Sequence, residues 1–463
     1  MTVAGQPQVS YAWDNANRLT GLTQGSTSVS LNYDNANRRT SLTLPNGIVV
    51  AYTYDSDSHV KGMAWTLAGN PVGDLEYNYD ADGRVIGKTG SFAQTNLPQP
   101  VTGNTFNADN EMTAFNGTPL NYDANGNLTD DGTNTYTWDA RNQLTAMSGG
   151  ANASFIYDGF GRRMSKNVAG NTAQFLYDRL NPVQEIQGGT PTANLLTGLR
   201  IDERFQRTDP AGTANLLTDI LGSTLALTDS TGAIQTQYAY EPFGNGTSIG
   251  AASTNSYQYT GRENDGTGLD YYRARYYSPT FQRFIAQDPI GIRSGDLNLY
   301  AYVSNSPLNW IDPSGLIINV IGGPVEQGEY NQATSYLSQD PGMNQIIQDL
   351  NTSSIIYNIM FNNNSVDSYD SWNHIIQWDP HSGNRCTNKG RQSPALMLGH
   401  EMAHADNSLL DQLTGWIPSD QYDNWEEERV ITGPESSAAD TLGEDTRTDH
   451  GGSPYWVPGP TSR

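Results

Sequence analysis

The chain has 463 residues, with 25 Lys and Arg against 49 Asp and Glu, a net charge of −24. That acidity argues against nucleic acid or an anionic membrane as primary partner, and the single cysteine, Cys386, excludes an intrachain disulfide framework. With 47 Gly, 26 Tyr and a charged fraction of 16%, the composition predicts many short strands and turns rather than helical bundles. No run of 18 apolar residues predicts a membrane span, and Met1–Pro7 lacks the basic and apolar regions of a signal peptide.

From the N-terminus to about residue 180 one unit recurs: an aromatic, Asp, a polar turn, Arg or Asn, then an aliphatic. It appears at Trp13-Asp14, Tyr33-Asp34, Tyr79-Asp80, Tyr122-Asp123, Trp138-Asp139 and Tyr157-Asp158, and in weaker form at Tyr54-Asp55 and Tyr177-Asp178. Asp followed by Gly or Asn is turn chemistry between alternating strands. Such hairpins cannot bury a face alone, so the repeats must stack into one winding sheet. These Tyr-Asp pairs are expected to build a wall and to do no chemistry.

The repeats resemble the YD-repeat (Rhs) family of bacterial shell proteins. The resemblance sharpens at Asp219-Ile220-Leu221-Gly222, Tyr240-Glu241-Pro242-Phe243-Gly244 and Tyr259-Thr260-Gly261-Arg262. It is closest at Gly268-Leu269-Asp270-Tyr271-Tyr272-Arg273-Ala274-Arg275-Tyr276-Tyr277. It covers about residues 1–316 and implies an all-β shell over 1–200, a core domain over 201–316 and a separate payload over 317–463. The matching segment is short for a closed shell, so the remaining shell or a delivery module is an expected partner.

Two Asp-Pro-x-Gly copies, Asp288-Pro289-Ile290-Gly291 and Asp312-Pro313-Ser314-Gly315, bracket the end of this region. Read locally, both are turn signals. The resemblance implies more: self-cleavage at Leu316–Ile317 by Asp288 and Asp312 acting as an aspartic-protease-like pair. Two close carboxylates would share a proton and serve as acid and base together. Arg283 is a candidate to orient the pair.

Beyond Leu316 the repeats stop. Apolar spacing over Tyr330–Leu350, interrupted at Pro341-Gly342, predicts two short helices; residues 354–361 and 374–379 read as strands. The second of these is expected to be an edge strand that aligns extended substrate. Ser393-Pro394 opens a helix carrying His400-Glu401-Met402-Ala403-His404. Residues i and i+4 share a helix face, so His400 and His404 can point at one zinc ion, with Glu401 as general base. A third ligand is needed; Glu426, Glu427 and Glu428, on a helix over 424–431, are the candidates. Asp406 is a candidate hydrogen-bond partner for the ligands, and Cys386 a weaker candidate ligand.

This tail resembles the NleD-like zinc effector peptidases at Trp378-Asp379-Pro380, Leu398-Gly399-His400-Glu401, Glu426-Glu427 and Leu442-Gly443-Glu444 with Arg447. The resemblance selects Glu427 as third ligand, and implies that Arg447 or His450, which stands where the family has Tyr, stabilises the oxyanion. The expected whole is a multidomain protein: an all-β YD-repeat shell followed by a small α+β zincin-like domain. It would be a secreted toxin that releases a Zn2+-dependent endopeptidase against a protein of the target cell, with an immunity protein as partner. The alternatives are an adhesion protein with an inert tail and a zinc hydrolase of non-peptide substrates.

Overall fold

The computed structural model describes residues 1–463 apart from 4, 16–17, 37, 82, 290, 292–295, 316–319, 322–323, 353–356, 363–364, 366, 371–374, 407–417 and 420–421. The expected cleavage bond, Leu316–Ile317, lies outside the described residues. Two compact units are present: Met1–Pro289 with Asn298–Gly315, and Ile290–Leu297 with Leu316–Arg463.

The first unit is built of antiparallel meanders, as the repeats predict. One sheet has eight strands from Val9–Trp13 to Val85–Thr89, each paired with its neighbour in sequence; a second has fourteen, from Asn121–Tyr122 to Gly246–Gly250. This sheet passes through residue 200 without a break, with Leu195 opposite Arg207. A four-stranded sheet over Glu263–Phe284 carries the most family-like segment.

The repeated Tyr-Asp pair has a local cause. Asp34 Oδ1 accepts the backbone N–H groups of Ala36 and Arg38, both at 2.9 Å, and Oδ2 accepts Arg38 Nε at 2.8 Å, so one carboxylate closes the turn and pins the arginine. The aromatic works between turns. Tyr33 Oη donates to Leu19 O, Tyr54 to Arg39 O, Tyr79 to Val60 O, Tyr157 to Leu144 O and Tyr177 to Arg163 O, all between 2.6 and 2.8 Å. Trp138 Nε1 does the same to Leu128 O at 2.7 Å. A register shift falls at the aromatic, as between Asn32 and Tyr33; such a bulge tilts the ring toward the preceding strand. These six repeats are therefore each latched to the strand before them.

In the second unit the helix α1 (Pro324–Leu337) and the helix α2 (Pro341–Thr352) occupy the predicted helical region. Asp340 Oδ1 accepts Met343 N at 2.8 Å, an N-cap ahead of Pro341 at the first helical position. A sheet of four short strands places Ile375–Trp378 between Asn358–Phe361, parallel to it, and Ser368–Asp370, antiparallel. The strand predicted over 374–379 is thus an interior strand with both sides occupied, and it does not offer the free edge expected for substrate. Behind this sheet lies α3 (Pro394–Asp406), whose residues 394–405 are all buried. Its Leu396, Leu398, Met402, Ala403 and Ala405 pack in one core with Leu337, Met343 and Trp378. A Cβ on Gly399 would lie 2.9 Å from Leu337 Cδ2, so the glycine before His400 lets α1 approach. Downstream come α4 (Trp425–Val430), a π-helical turn (Ile431–Glu435) and α5 (Ser436–Leu442).

Candidate functional sites: a histidine–glutamate cluster and a buried aspartate pair

α3 presents His400 and His404 on one face, 3% and 4% exposed. Their Nε2 atoms lie 3.2 Å apart. Asn424 caps α4 by accepting the N–H groups of Glu426 and Glu427 at 2.9 and 3.0 Å, and this fixes which glutamate faces α3. Glu427 Oε2 lies 3.2 Å from His400 Nε2, and its Oε1 lies 3.4 Å from His404 Nε2. Glu426 turns to the other side: it pairs with Arg429 and stands 3.6 Å from His404 Nδ1. Of the three candidate glutamates, Glu427 is the one that meets both imidazoles.

This donor set fits a small divalent cation. Ligand atoms about 2.0–2.1 Å from a tetrahedral ion are about 3.3 Å from each other, and the observed separations are 3.2 to 3.4 Å. Glu427 Oε2 is buried with no hydrogen bond among the described residues, an arrangement a cation satisfies. His450 also joins: its Nε2 lies 3.4 Å from Glu427 Oε2, so the residue expected at the oxyanion stands within reach of the donor set. Burial alone would lower the His404 pKa, but the carboxylates of Glu426 and Glu427 hold it up at about 10.

Residues outside the expected set position His400. Glu435, 1% exposed, accepts from His400 Nδ1 at 2.8 Å, leaving the Nε2 lone pair to face Glu427. Gln392 Nε2 donates to Glu435 at 2.7 Å, and Arg447 straddles it at 2.9 and 3.0 Å from Nε. Arg447, expected at the oxyanion, is thus engaged in a buried pair, although it still lines the cleft beside His450. The cleft has a volume of about 260 Å³ and is also lined by Glu401, Asp367 and Met397. Burial raises the Glu401 pKa. It also pushes Asp367 up to about 8, with Glu401 adding to the shift. Asp406 ends α3. The Cys386 thiol is buried and pushed up to about 11 by that burial; it is not among the clustered donor groups of the described residues.

In the first unit Asp288 and Asp312 are 6% and 1% exposed and face the same cation. Arg275 Nη2 lies 2.8 Å from Asp288 Oδ2 and 3.4 Å from Asp312 Oδ2. The two carboxylates thus meet at one guanidinium. Arg275 Nε also donates to Gly315 O at 2.7 Å, holding the chain one residue before Leu316. Gly315 has φ +68°, and a Cβ there would lie 2.1 Å from Tyr272 O, so the second Asp-Pro-x-Gly turn needs its glycine. Arg283, expected beside the pair, points elsewhere: it donates to Asn298 Oδ1 at 3.1 Å and lies over the Phe106 and Tyr300 rings.

The chain is 33% identical over 262 residues to the tRNA3(Ser)-specific nuclease WapA of Bacillus spizizenii, covering 53% of this chain and 11% of that protein. It is 30% identical over 215 residues to the toxin subunit YenC1 of Yersinia entomophaga, covering 39% and 22%. The chain thus spans between about a tenth and a quarter of these relatives. Among solved structures it resembles a Tc holotoxin pore of Photorhabdus luminescens, with a TM-score of 0.54 and 21% identity over 66% of this chain and 20% of that one. It resembles the TcdB2–TccC3 complex at a TM-score of 0.50, also at 21% identity. The Teneurin YD-shell family model matches residues 48–307, more than half of the chain, and the chain belongs to that family.

Proposed function

We propose that this chain is part of a secreted polymorphic toxin, in which a YD shell carries a zinc-dependent endopeptidase and a self-cleaving junction separates the two. One observation carries the peptidase reading: His400, His404 and Glu427 converge at zinc-ligand spacing, and His400 lines a cleft together with Glu401. When bound, the ion would supply Lewis acidity toward a scissile carbonyl and lower the pKa of a water toward ~7. Glu401, next to His400 in the same cleft, takes the proton of the attacking water and returns it to the leaving amine. Glu435, by accepting from Nδ1, keeps His400 in the tautomer that presents Nε2, and Arg447 holds Glu435 in place. His450, 38% exposed at the cleft, would donate to the developing oxyanion.

At the junction, Asp288 and Asp312 would act on the Leu316–Ile317 bond while Arg275 holds Gly315 O and offsets one negative charge of the pair. Release of the payload into a target cell, an immunity protein in the producer and further shell from the same or a partner chain complete the proposal.

The WapA relatives, nucleases by name, favour a second reading in which the tail cuts nucleic acid. The cleft offers a phosphate strand little cationic charge: among its described lining residues Arg447 is the one arginine or lysine, and it is already paired to Glu435. Incubating the zinc-loaded chain and its Glu401→Gln variant with unfolded protein, tRNA and duplex DNA separates the readings. Hydrolysis of protein alone, lost in the variant, supports the peptidase; loss of tRNA or DNA overturns it.

A further inference from the structure

Next to the catalytic cleft lies a second cavity of about 640 Å³. The two share Ser365 and Pro454 in their walls, so they form one trough. Its floor is the strand Gly452–Trp456, which pairs antiparallel with Ser382–Cys386, Ser382 opposite Trp456 and Asn384 opposite Pro454. Alternation along a strand puts Gly452, Pro454 and Trp456 on one face. Gly452 and Pro454 line the catalytic cleft, and Pro454 and Trp456 line the neighbouring cavity. A chain laid over this face would run from Glu401 toward Trp456.

The far cavity has a definite chemistry. Among the described residues its walls hold two carboxylates, Glu329 and Asp379, three aromatic rings, Phe361, Tyr455 and Trp456, and neither lysine nor arginine. Trp456 is 75% exposed, and its indole stacks on His381 with ring centres 6.4 Å apart and planes 15° from parallel. His381 Nε2 is tied to Glu329 at 3.0 Å. Asp379, buried, accepts the backbone N–H groups of Ser365 and His381, each at 3.0 Å, so its charge is held in place at the junction of the two cavities. Arg385 and Arg391 lie over the Tyr455 ring at 5.8 and 5.7 Å, so the ring left open to a further cation is the exposed Trp456.

We infer that this cavity is a substrate subsite for a cationic side chain, arginine or lysine, of a peptide whose scissile bond lies in the adjoining cleft. An exposed indole offers its face to a cation, neighbouring carboxylates complement the charge, and a side chain with an apolar stem and a cationic tip fits walls that hold both rings and carboxylates. This rests on the peptidase reading of the His400–Glu401–His404 site. It goes further in naming what the enzyme selects.

The test uses the full chain loaded with zinc and a set of peptides differing at single positions around the cut. The expected result is a preference for Arg or Lys at one fixed position, with kcat/KM about tenfold above the norleucine peptide. Trp456→Ala and Glu329→Gln should each remove most of that preference and leave the norleucine peptide unchanged. As a readout independent of turnover, the Arg peptide added to the Glu401→Gln chain should slow amide exchange over 452–456, and the norleucine peptide should do so more weakly. Hydrolysis with no preference for a cation, or a preference unmoved by both substitutions, overturns the subsite and leaves the peptidase standing. Absence of hydrolysis of any peptide overturns both.

Discussion

Glu435 Oε2 lies 2.8 Å from His400 Nδ1, and both groups are buried. A carboxylate in this position fixes the tautomer of a metal-binding histidine and raises its basicity. Glu435→Gln keeps the shape and loses the charge. It is expected to weaken zinc affinity by about 10–100-fold without unfolding the chain, measured by competition with a chromogenic chelator. Unchanged affinity would separate Glu435 from the metal site.

Arg275 bridges Asp288 and Asp312 and holds Gly315 O. The full chain should therefore cut itself into pieces of 316 and 147 residues, and Asp312→Asn should slow this by more than about 10²-fold, read as retention of the intact band on a gel. Arg275→Gln should also slow cleavage, since it leaves two buried carboxylates without their cation. Arg283→Gln, whose guanidinium is engaged with Asn298 and two rings, should leave it unaffected.

Gly315 occupies a left-handed backbone conformation against Tyr272 O. Gly315→Ala should cost about 1–3 kcal/mol from backbone strain, with more from the clash, and should disturb the junction locally. A fall in the thermal midpoint together with slowed self-cleavage is the expected pair of observations.

Asp202 gathers Arg204, Arg262 and Arg273 at 2.9, 2.5 and 2.8 Å. Burial alone would raise its pKa, but the three guanidinium groups outweigh that and hold the carboxyl far below the usual range. A carboxylate with a depressed folded-state pKa contributes stability above its unfolded value, about 3.9, and that contribution is lost as pH falls below it. The first unit should accordingly become labile to denaturant below about pH 4. Asp202→Asn, which strands three buried cations, should cost about 3–5 kcal/mol at neutral pH and flatten the acid slope. An unchanged slope in the variant would contradict this assignment.

The wall was legible in the sequence because its chemistry is local: each Asp closes its own turn, and the aromatic one residue earlier reaches the preceding hairpin. The paired histidines were legible for the same reason, four residues apart on one helix. Glu435 was not. It lies 35 residues from His400, and Pro434 sits inside the π-helical turn before it, so helical periodicity gives no register for its side chain; the acid in Gly433-Pro434-Glu435 was the only hint. Choosing Arg275 over Arg283 depends on which strand face turns toward the second Asp-Pro-x-Gly turn, a matter of sheet register rather than spacing. The interior place of Ile375–Trp378 depends on Ser368–Asp370, three residues with no apolar pattern to announce a strand.

The most direct measurement is the zinc content of the purified full chain beside its His404→Ala and Glu427→Ala variants, all dialysed against the same buffered metal. The account predicts about one zinc per chain in the parent, a large loss in each variant, and return of the metal to the apo-chain after chelation. A parent chain that holds no zinc, or variants that hold as much as the parent, would contradict the metal site and with it the peptidase.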